Sequence, residues 1–495
     1  MSAEPTIPGS PGAEGMLPVG AGRPVLERFA VIAGFLWPLW ARRSFAWMRR
    51  FAMRRAGLLI GYAATHLGVV AAFLPTILAG RTLGDLPLYR QWAEEAMRGA
   101  APVLHTDWVY PAGALVPIVL AAVAGPAAYL AIWTVLVAAA NFGAIWALTR
   151  GFRLRSGYVA AWYWLTIVTI LSPVSMLRLE GFAAPLAIMG LAILARRPAV
   201  SGALLAAATW VKVWPAAILF SAFTASSRRW RILAGAVATT FAIVAIVSAG
   251  GGAKHLLSFL DVQGGRGLQL EAPISTAWVW LAVAHVRGAS IYNNSVLATR
   301  EVRGPGSDIA AGIVDVVMVV MCALVAAAIV AGRRRLARLR VAAGRSAASP
   351  LLESRLLVLG AFALTAALVV FDKVGSPQYM LWLAPVVAIG LAVDPARWGF
   401  AAWWMAGIGL VTTLIFPIFY VWLIFGYAWA AALLTLRNAM LVALLVWACV
   451  ELARCVADPS RLARRTIQPR RFTPRRREER EEAVADATGP LRSIA

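Results

Sequence analysis

The sequence predicts an all-α, polytopic integral membrane protein with about 10–13 transmembrane or half-membrane helices. Of its 495 residues, 61% are hydrophobic and 14% are charged, and the mean hydropathy is +0.73. An average soluble domain is about 25% charged. Apolar runs near the ~20 residues that cross a ~30 Å hydrocarbon core recur between residues 56 and 454. These observations exclude a soluble globule.

Basic residues border the apolar runs, and the formal net charge is +24. The clusters lie at Arg42, Arg43, Arg49, Arg50, Arg54 and Arg55, at Arg196 and Arg197, at Arg228 and Arg229, at Arg333 to Arg335, and from Arg461 onward. This arrangement is typical of cytoplasmic loops that follow the positive-inside rule. Specific binding of anionic lipid is the alternative. Because the basic residues are not interleaved with aromatic residues on a soluble face, we predict no nucleic-acid partner.

With these clusters as cytoplasmic markers, the chain divides into four parts. We predict a disordered N-terminal tail at 1–25, a basic interfacial segment at 26–55, a membrane domain at 56–454 and a disordered basic cytoplasmic tail at 455–495. The membrane domain has two external loops, 80–111 and 250–307. An even number of crossings places both termini in the cytoplasm, and no cleavable signal peptide is apparent.

Two of the apolar segments are predicted to be broken. Residues 112–124 form a half-helix that ends at a Gly-Pro pair, and residues 199–224 form two short helices that meet at Lys212 and Pro215. A single crossing over 199–224 would place basic residues on both sides of the membrane, against the charge rule. Broken helices often line sites in membrane proteins. The pattern alone does not separate an enzyme from a transporter.

Twelve ionisable residues of the membrane domain that are candidates for a site fall in the external loops or at the outer helix break. They are Asp85, Glu94, Glu95, His105, Asp107, Arg178, Glu180, Lys212, Arg266, Glu271, Asp372 and Lys373. In the predicted topology all of them face the same outer side, as a site at the membrane surface requires. Charged residues this close to hydrocarbon are costly, so their default interpretation is functional.

Several short motifs resemble glycosyltransferase family 87. They are Gly84-Asp85-Leu86 with Tyr89, Gly99, Pro102 and Tyr110-Pro111, then Leu179 to Gly181, Lys212 with Pro215, Gln263 to Glu271, and Ser376 to Tyr379 with Trp382 and Pro385. The resemblance covers about residues 56 to 453. It implies a GT-C fold and a kinship with actinobacterial enzymes, mannosyltransferases and arabinofuranosyltransferases that use polyprenyl-phosphate sugars to build cell-envelope lipoglycans. Some branches carry a histidine where this chain has Ser376 to Tyr379, which puts a histidine-assisted mechanism in doubt.

The resemblance implies that an acceptor hydroxyl attacks the sugar of a lipid-phosphate donor. A carboxylate should remove the proton of that hydroxyl. Asp85 matches the first-loop aspartate of the family and is the predicted general base, although its place before a short helix also suits an N-cap. Asp107 is the reserve candidate. His105 could assist, but a lone loop histidine is more often merely solvated.

Cations should hold the donor phosphate and stabilise its growing charge. The candidates are Lys212, Arg266, Arg178 and Lys373, of which Lys212 and Arg266 are favoured. Snorkelling of Lys212 and pairing of Arg178 with Glu180 are the structural alternatives. Sugar or acceptor contacts are predicted for Tyr89, Tyr110, Glu180, Gln263, Gln269, Glu271, Gln378 and Tyr379. Interfacial tyrosines and loop-structural amides are common enough that these roles stay open.

The predicted function is therefore transfer of a sugar, mannose before arabinofuranose, to a lipid or glycan acceptor at the outer face of the plasma membrane. A transporter or lipid-linked-sugar flippase is the alternative, and an envelope scaffold is a third class. Membrane lipids are expected partners. We expect neither an organic cofactor nor a metal, although external acidic pairs could bind a divalent cation weakly. A transporter would require polar residues along a path through the bilayer, whereas these charges stop in the outer half.

Overall fold

The computed structural model describes residues 48–264, 267–294, 299–342 and 349–457. Its contacts divide the chain into two compact units, Met1–Gly57 and Leu58–Ala495. In the first unit the described residues include a short helical segment at 48–52. The residues proposed above for catalysis and binding belong to the second unit. The N-terminal tail and most of the C-terminal tail predicted from the sequence lie outside the described residues.

The second unit is built almost entirely from helices. In chain order they are α1 (Arg55–Leu78), α2 (Leu86–Met97), α3 (Leu115–Leu120), α4 (Tyr129–Leu148), α5 (Ser156–Ile170), α6 (Val174–Leu177), α7 (Glu180–Ile193), α8 (Pro198–Val211), α9 (Pro215–Ala225), α10 (Arg229–Ala249), α11 (Ser258–Gly264), α12 (Thr276–Val283), α13 (Ser307–Ala342), α14 (Ser349–Phe371), α15 (Met380–Val393), α16 (Pro395–Thr413), α17 (Tyr420–Ile424) and α18 (Ala428–Ala457). Two strands, β1 (Ser290–Asn294) and β2 (Thr299–Arg303), lie between α12 and α13.

Seven of the described helices, α1, α4, α10, α13, α14, α16 and α18, are long and apolar enough to cross a membrane by length and composition. The predicted all-α polytopic class is thereby confirmed. Helix α14 is 83% buried over its most apolar stretch, whereas α10 and α13 are each 17% buried. Apolar helices with so much exposed surface require lipid around them. Helix α14 therefore lies at the centre of the bundle, and α10 and α13 lie at its periphery.

The structure differs from the sequence prediction in the external segment 250–307. Strands β1 and β2 pair antiparallel there, with Tyr292 opposite Glu301. The Tyr292 hydroxyl donates to Glu301 at 2.6 Å, and this bond is the main reason why the pKa of Tyr292 rises to about 12. The hairpin is held by polar side chains and lacks the apolar alternation that identifies a strand in a sequence. Helix α13 continues past the Arg333 cluster to Ala342.

The predicted break within 199–224 is confirmed. Lys212 has an extended backbone conformation (φ −149°, ψ 141°) between α8 and α9, and Pro215 opens α9 at its first position, where proline needs no hydrogen bond. The guanidinium of Arg228, beyond the end of α9, donates to the carbonyl oxygen of Ala195, before the start of α8. The far ends of the two helices therefore meet, and α8 and α9 form a hairpin with Lys212 at its tip.

Three of the basic clusters, at Arg196 and Arg197, at Arg228 and Arg229, and at Arg333 to Arg335, share one end of the helical bundle. Arg333 donates to the carbonyl oxygen of Thr224 at 2.9 Å, and the Ser227 hydroxyl donates to Glu353 at 3.1 Å. These contacts join the α9–α10 turn to the ends of α13 and α14, at the end of the hairpin opposite Lys212. The charge pattern of the sequence thus identified segments that lie together in the fold.

Candidate active site

Three interruptions of helical structure meet at the Lys212 end of the bundle. The first is the turn before α2, where Gly84 has a φ of +62°, a conformation that glycine adopts without strain. This turn lies against the side chain of Leu177, the residue before Arg178. The second is the extended residue Arg178 between α6 and α7, and the third is the tip of the α8–α9 hairpin. Their convergence brings Asp85, Arg178 and Lys212 to one place.

Asp85 pairs with Arg178, whose Nη1 contacts the Oδ2 atom of the carboxylate. The Tyr89 hydroxyl lies 3.4 Å from the same oxygen. The Asp85 side chain makes no capping hydrogen bond to the backbone of α2, so the N-cap alternative is wrong. Burial lowers the pKa of Arg178, while the charges of Glu180 and Glu271 oppose that shift.

Lys212 forms an ion pair with Glu180, the first residue of α7, instead of extending into solvent. Its Nζ lies 3.4 Å from Glu180 Oε1 and 4.4 Å from the centre of the Tyr110 ring. The Trp382 indole nitrogen donates to the same Glu180 oxygen at 3.4 Å. Glu180 is 1% exposed, and its Oε2 atom has no hydrogen-bond partner among the described residues. The carboxylate is therefore held beneath the ammonium group, at a helix N-terminus whose dipole favours negative charge.

Tyr89 and Tyr110 join the two ion pairs, since their hydroxyl oxygens lie 3.5 Å apart. Tyr89 is fully buried, and burial raises the pKa of its hydroxyl well above the ordinary value. We call the whole group the paired-charge cluster; its members are Asp85, Tyr89, Tyr110, Arg178, Glu180 and Lys212. All six were predicted from the sequence to serve the site.

A cavity of about 680 Å³ opens beside the cluster. We call it the lysine cavity, because Lys212 and Lys373 both line it. Its polar wall also contains Tyr110, Asp315, Asp372, Tyr379 and Trp382. Lys373 Nζ binds Asp315 at 2.9 Å, and the Tyr379 ring stacks on Trp382 with centroids 3.8 Å apart.

The remaining walls of the lysine cavity are apolar and follow three helices away from the polar end. They are formed by Ala216, Ala217 and Phe220 of α9, by Met318, Cys322, Ala323 and Ala326 of α13, and by Leu364 and Leu368 of α14. On α13 the lining residues begin with Asp315 and end with Ala326, a rise of about 16 Å. The cavity is therefore polar at one end and apolar along about half the thickness of a ~30 Å hydrocarbon core.

A second cavity has a volume of about 670 Å³. We call it the apolar cavity, because its lining residues are all apolar or glycine. They come from the first loop, from α3 and the turn before it, and from α4, α7, α8 and α10. Val211 and Ala112 line this cavity, whereas their neighbours Lys212 and Pro111 line the lysine cavity. The tip of the α8–α9 hairpin and the segment before α3 thus separate the two cavities, and Lys212 and Tyr110 of the paired-charge cluster line the lysine cavity.

Gln269 and Glu271, predicted to contact the sugar, hold two loops together. The Gln269 backbone nitrogen donates to the carbonyl oxygen of Lys373 at 2.9 Å, and its side chain accepts from Ser376 at 3.4 Å. Glu271 accepts a 2.6 Å hydrogen bond from Tyr420. Burial raises the pKa of Glu271 and that bond opposes the shift. Neither side chain lines either cavity.

The reserve residues do not join the cluster. The carboxylate of Asp107 is 71% exposed and binds His255 Nδ1 at 2.6 Å. His105 is exposed, and its ring lies 3.3 Å from the carbonyl oxygen of Ala101. Gln378 lies beside the polar end without lining the lysine cavity. Arg266 and the side chain of Gln263 lie outside the described residues.

Arg437 joins the loops that contain Glu271 and Gly375 through hydrogen bonds to their backbone. It is 1% exposed and donates to the carbonyl oxygens of Glu271 and Gly375 and to the side chain of Asn438. Arg437→Met should lower the free energy of unfolding by about 3 kcal/mol, because buried carbonyl groups lose their donor. The midpoint of thermal unfolding in detergent, followed by tryptophan fluorescence, measures this. Arg454→Met on the same helix is the control, since that side chain is 67% exposed; equal midpoints for the two variants would contradict the role.

Sequence reasoning missed Asp315, Trp382 as a partner of Glu180, and Arg437. Asp315 and Arg437 each lie within an apolar helix predicted to span the membrane. An ionisable residue at such a position is itself a functional or structural signal. The signal that could have identified both was therefore present in the sequence. Among the described residues, no three His, Cys, Asp or Glu side chains are grouped to hold a metal ion.

Residues 108–352 match the family model of Glycosyltransferase family 87. Comparison with curated proteins gives no match, and neither does comparison with solved structures. The matched stretch contains four members of the paired-charge cluster, whereas Asp85 and Tyr89 precede it and Lys373 follows it. The resemblance predicted from the motifs is confirmed over these residues. Together with the helices suited to cross a membrane, the match to glycosyltransferase family 87 over residues 108–352 supports a membrane glycosyltransferase.

Proposed function

We propose that the protein transfers a sugar, mannose before arabinofuranose, from a polyprenyl-phosphate donor to a hydroxyl of a cell-envelope lipoglycan or glycolipid. The shape and polarity of the lysine cavity carry this proposal. A polyprenyl phosphate is a long apolar chain with one charged end. Its phosphate matches the end with Lys212 and Lys373, and its chain matches the apolar walls on α9, α13 and α14.

The cluster beside the cavity supports transfer by direct attack of the acceptor hydroxyl on the donor sugar. Asp85 takes the hydroxyl proton, while Lys212, Arg178 and Lys373 stabilise the phosphate as the bond to the sugar breaks. Arg266 remains a further proposed phosphate contact. Tyr110 and Tyr379 lie at the polar end of the cavity, where they can contact the sugar. Glu180 acts through Lys212, because its carboxylate lies beneath that ammonium group.

The apolar cavity supports a lipid-linked acceptor. A chain held there would bring an attached hydroxyl to the side of the α8–α9 hairpin tip opposite the donor. Asp85 is joined to Tyr110, which lines the lysine cavity, through the hydroxyl of Tyr89. We place the reaction on the extracytoplasmic face of the plasma membrane, because three of the basic clusters lie at the other end of the bundle and basic loops favour the cytoplasm.

The decisive assay offers polyprenyl-phosphate mannose and polyprenyl-phosphate arabinose in parallel to membranes that contain the protein. We expect a glycolipid product heavier by one hexose with the first donor, measured by mass spectrometry of the extracted lipids. Membranes with Asp85→Asn protein are the matched control. A product heavier by one pentose would mean that arabinofuranose, and not mannose, is the sugar transferred. Loss of both products, combined with movement of labelled donor between leaflets, would favour the flippase alternative.

A further inference from the structure

Arg178 and Lys212 occupy different electrostatic positions, although both were predicted to bind phosphate. Lys212 faces Glu180, a carboxylate that takes no proton in the proposed reaction. Arg178 faces Asp85, the proposed base. The Arg178 side chain is 19% exposed and the Asp85 side chain is 27% exposed, so both are partly accessible to solvent. The two carboxylates therefore differ in whether their charge changes during transfer.

The proposed transfer forms one bond, breaks one bond and moves one proton. The acceptor oxygen forms a bond to the anomeric carbon of the sugar, and its proton passes to Asp85. The bond between that carbon and the phosphate oxygen breaks, and its electron pair leaves with the phosphate. Asp85 changes from −1 to 0, and the phosphate changes from a monoanionic diester to a monoester of charge near −2. One negative charge thus moves from the partner of Arg178 to the leaving group.

We propose that the Arg178 guanidinium exchanges partners during the reaction, from the Asp85 carboxylate before transfer to the phosphate that leaves. This inference rests on the proposed function and adds a role for the observed ion pair. While paired, the Arg178 guanidinium occupies the carboxylate oxygen of Asp85 that would accept the proton of the acceptor hydroxyl. Approach of the phosphate draws the guanidinium away and leaves that oxygen open to the acceptor. The exchange couples activation of the base to the presence of the donor.

The extended backbone of Arg178 makes the exchange sterically simple. The residue lies between α6 and α7, outside both helices, so the guanidinium can move without disturbing helical hydrogen bonds. Its planar fork binds a carboxylate and a phosphate with similar geometry. Interactions that strengthen as charge develops accelerate the chemical step, whereas equal binding of donor and product does not. Arg178 is on this account a catalytic residue that favours the product phosphate over the donor.

Binding of polyprenyl phosphate to the purified full-length protein tests the exchange without turnover. Asp85→Asn removes the competitor for Arg178 and should tighten the Kd for polyprenyl phosphate about tenfold, the lower end of the effect of a close opposite charge on a titrating group. The gain should disappear when Arg178→Gln is added. Glu95→Gln, which removes a carboxylate whose side chain accepts a hydrogen bond from Gln91, should leave the Kd unchanged. Neutral polyprenol measures the contribution of the chain alone.

The outcomes separate the exchange from the proposed function. No tightening in Asp85→Asn, or an equal tightening in the Arg178→Gln background, would overturn the exchange, because Asp85 would then only repel the phosphate. If the wild-type protein binds polyprenyl phosphate no better than polyprenol, the proposal that the donor is a lipid phosphate would be wrong. If the Gln double variant does not purify folded, Arg178→Met in the same background gives the same comparison.

Discussion

Asp85→Asn is expected to lower kcat by a factor of about 10²–10⁴, the usual contribution of a positioned general base. The amide keeps the size of the side chain but cannot accept the proton of the acceptor hydroxyl. The KM for the donor should not rise, because Arg178 loses its carboxylate partner and is then available to the phosphate in the proposed exchange. Initial rates with purified protein in liposomes, at varied donor concentration, separate the two constants.

The control is Asp107→Asn, the same substitution in the same loop. Asp107 contacts His255 and is mostly exposed, so this variant should keep the wild-type kcat within about threefold, as expected of a surface change. A large loss in Asp107→Asn with full activity in Asp85→Asn would transfer the role of base to Asp107. A loss in both variants accompanied by a lower unfolding midpoint would identify a structural effect of the loop.

The residues that break helices were visible in the sequence. Gly125 and Pro215 stop or start helices for local reasons, through a positive φ and through a missing backbone donor. Their consequences, the half-helix α3 and the α8–α9 hairpin, could therefore be predicted. The border of basic residues likewise identified which loops share an end. Local chemistry and charge were sufficient for this much of the architecture.

The pairing of charges could not be predicted in the same way. Arg178 and Glu180 are close in sequence, and their mutual pairing was a reasonable alternative. In the structure Arg178 is extended while Glu180 opens α7, so the two side chains find separate partners, Asp85 and Lys212. Which loops meet depends on how the helices pack. A helix that is apolar on all sides, as α15 is, gives no periodic signal of its neighbours.

Lys212→Met is expected to lower kcat/KM for the donor by a factor of about 10²–10³, comparable to removal of one group that stabilises developing negative charge. Its ammonium lies at the polar end of the lysine cavity, where the phosphate of the donor is proposed to bind. Lys254→Met is the matched control, because Lys254 is exposed outside both cavities. Transfer rates for both variants, measured at equal amounts of folded protein, give the comparison.

A simple loss of activity would not distinguish two roles of Lys212, because its removal also leaves the buried Glu180 carboxylate without its cation. An uncompensated buried charge costs about 3–5 kcal/mol of stability. Adding Glu180→Gln removes that charge while the Gln carbonyl oxygen can still accept from Trp382. We expect Lys212→Met with Glu180→Gln to recover the wild-type unfolding midpoint and to stay inactive. Recovery of both stability and transfer would mean that Lys212 serves only to neutralise Glu180. Arg178 and Lys373 would then be the residues that bind the phosphate.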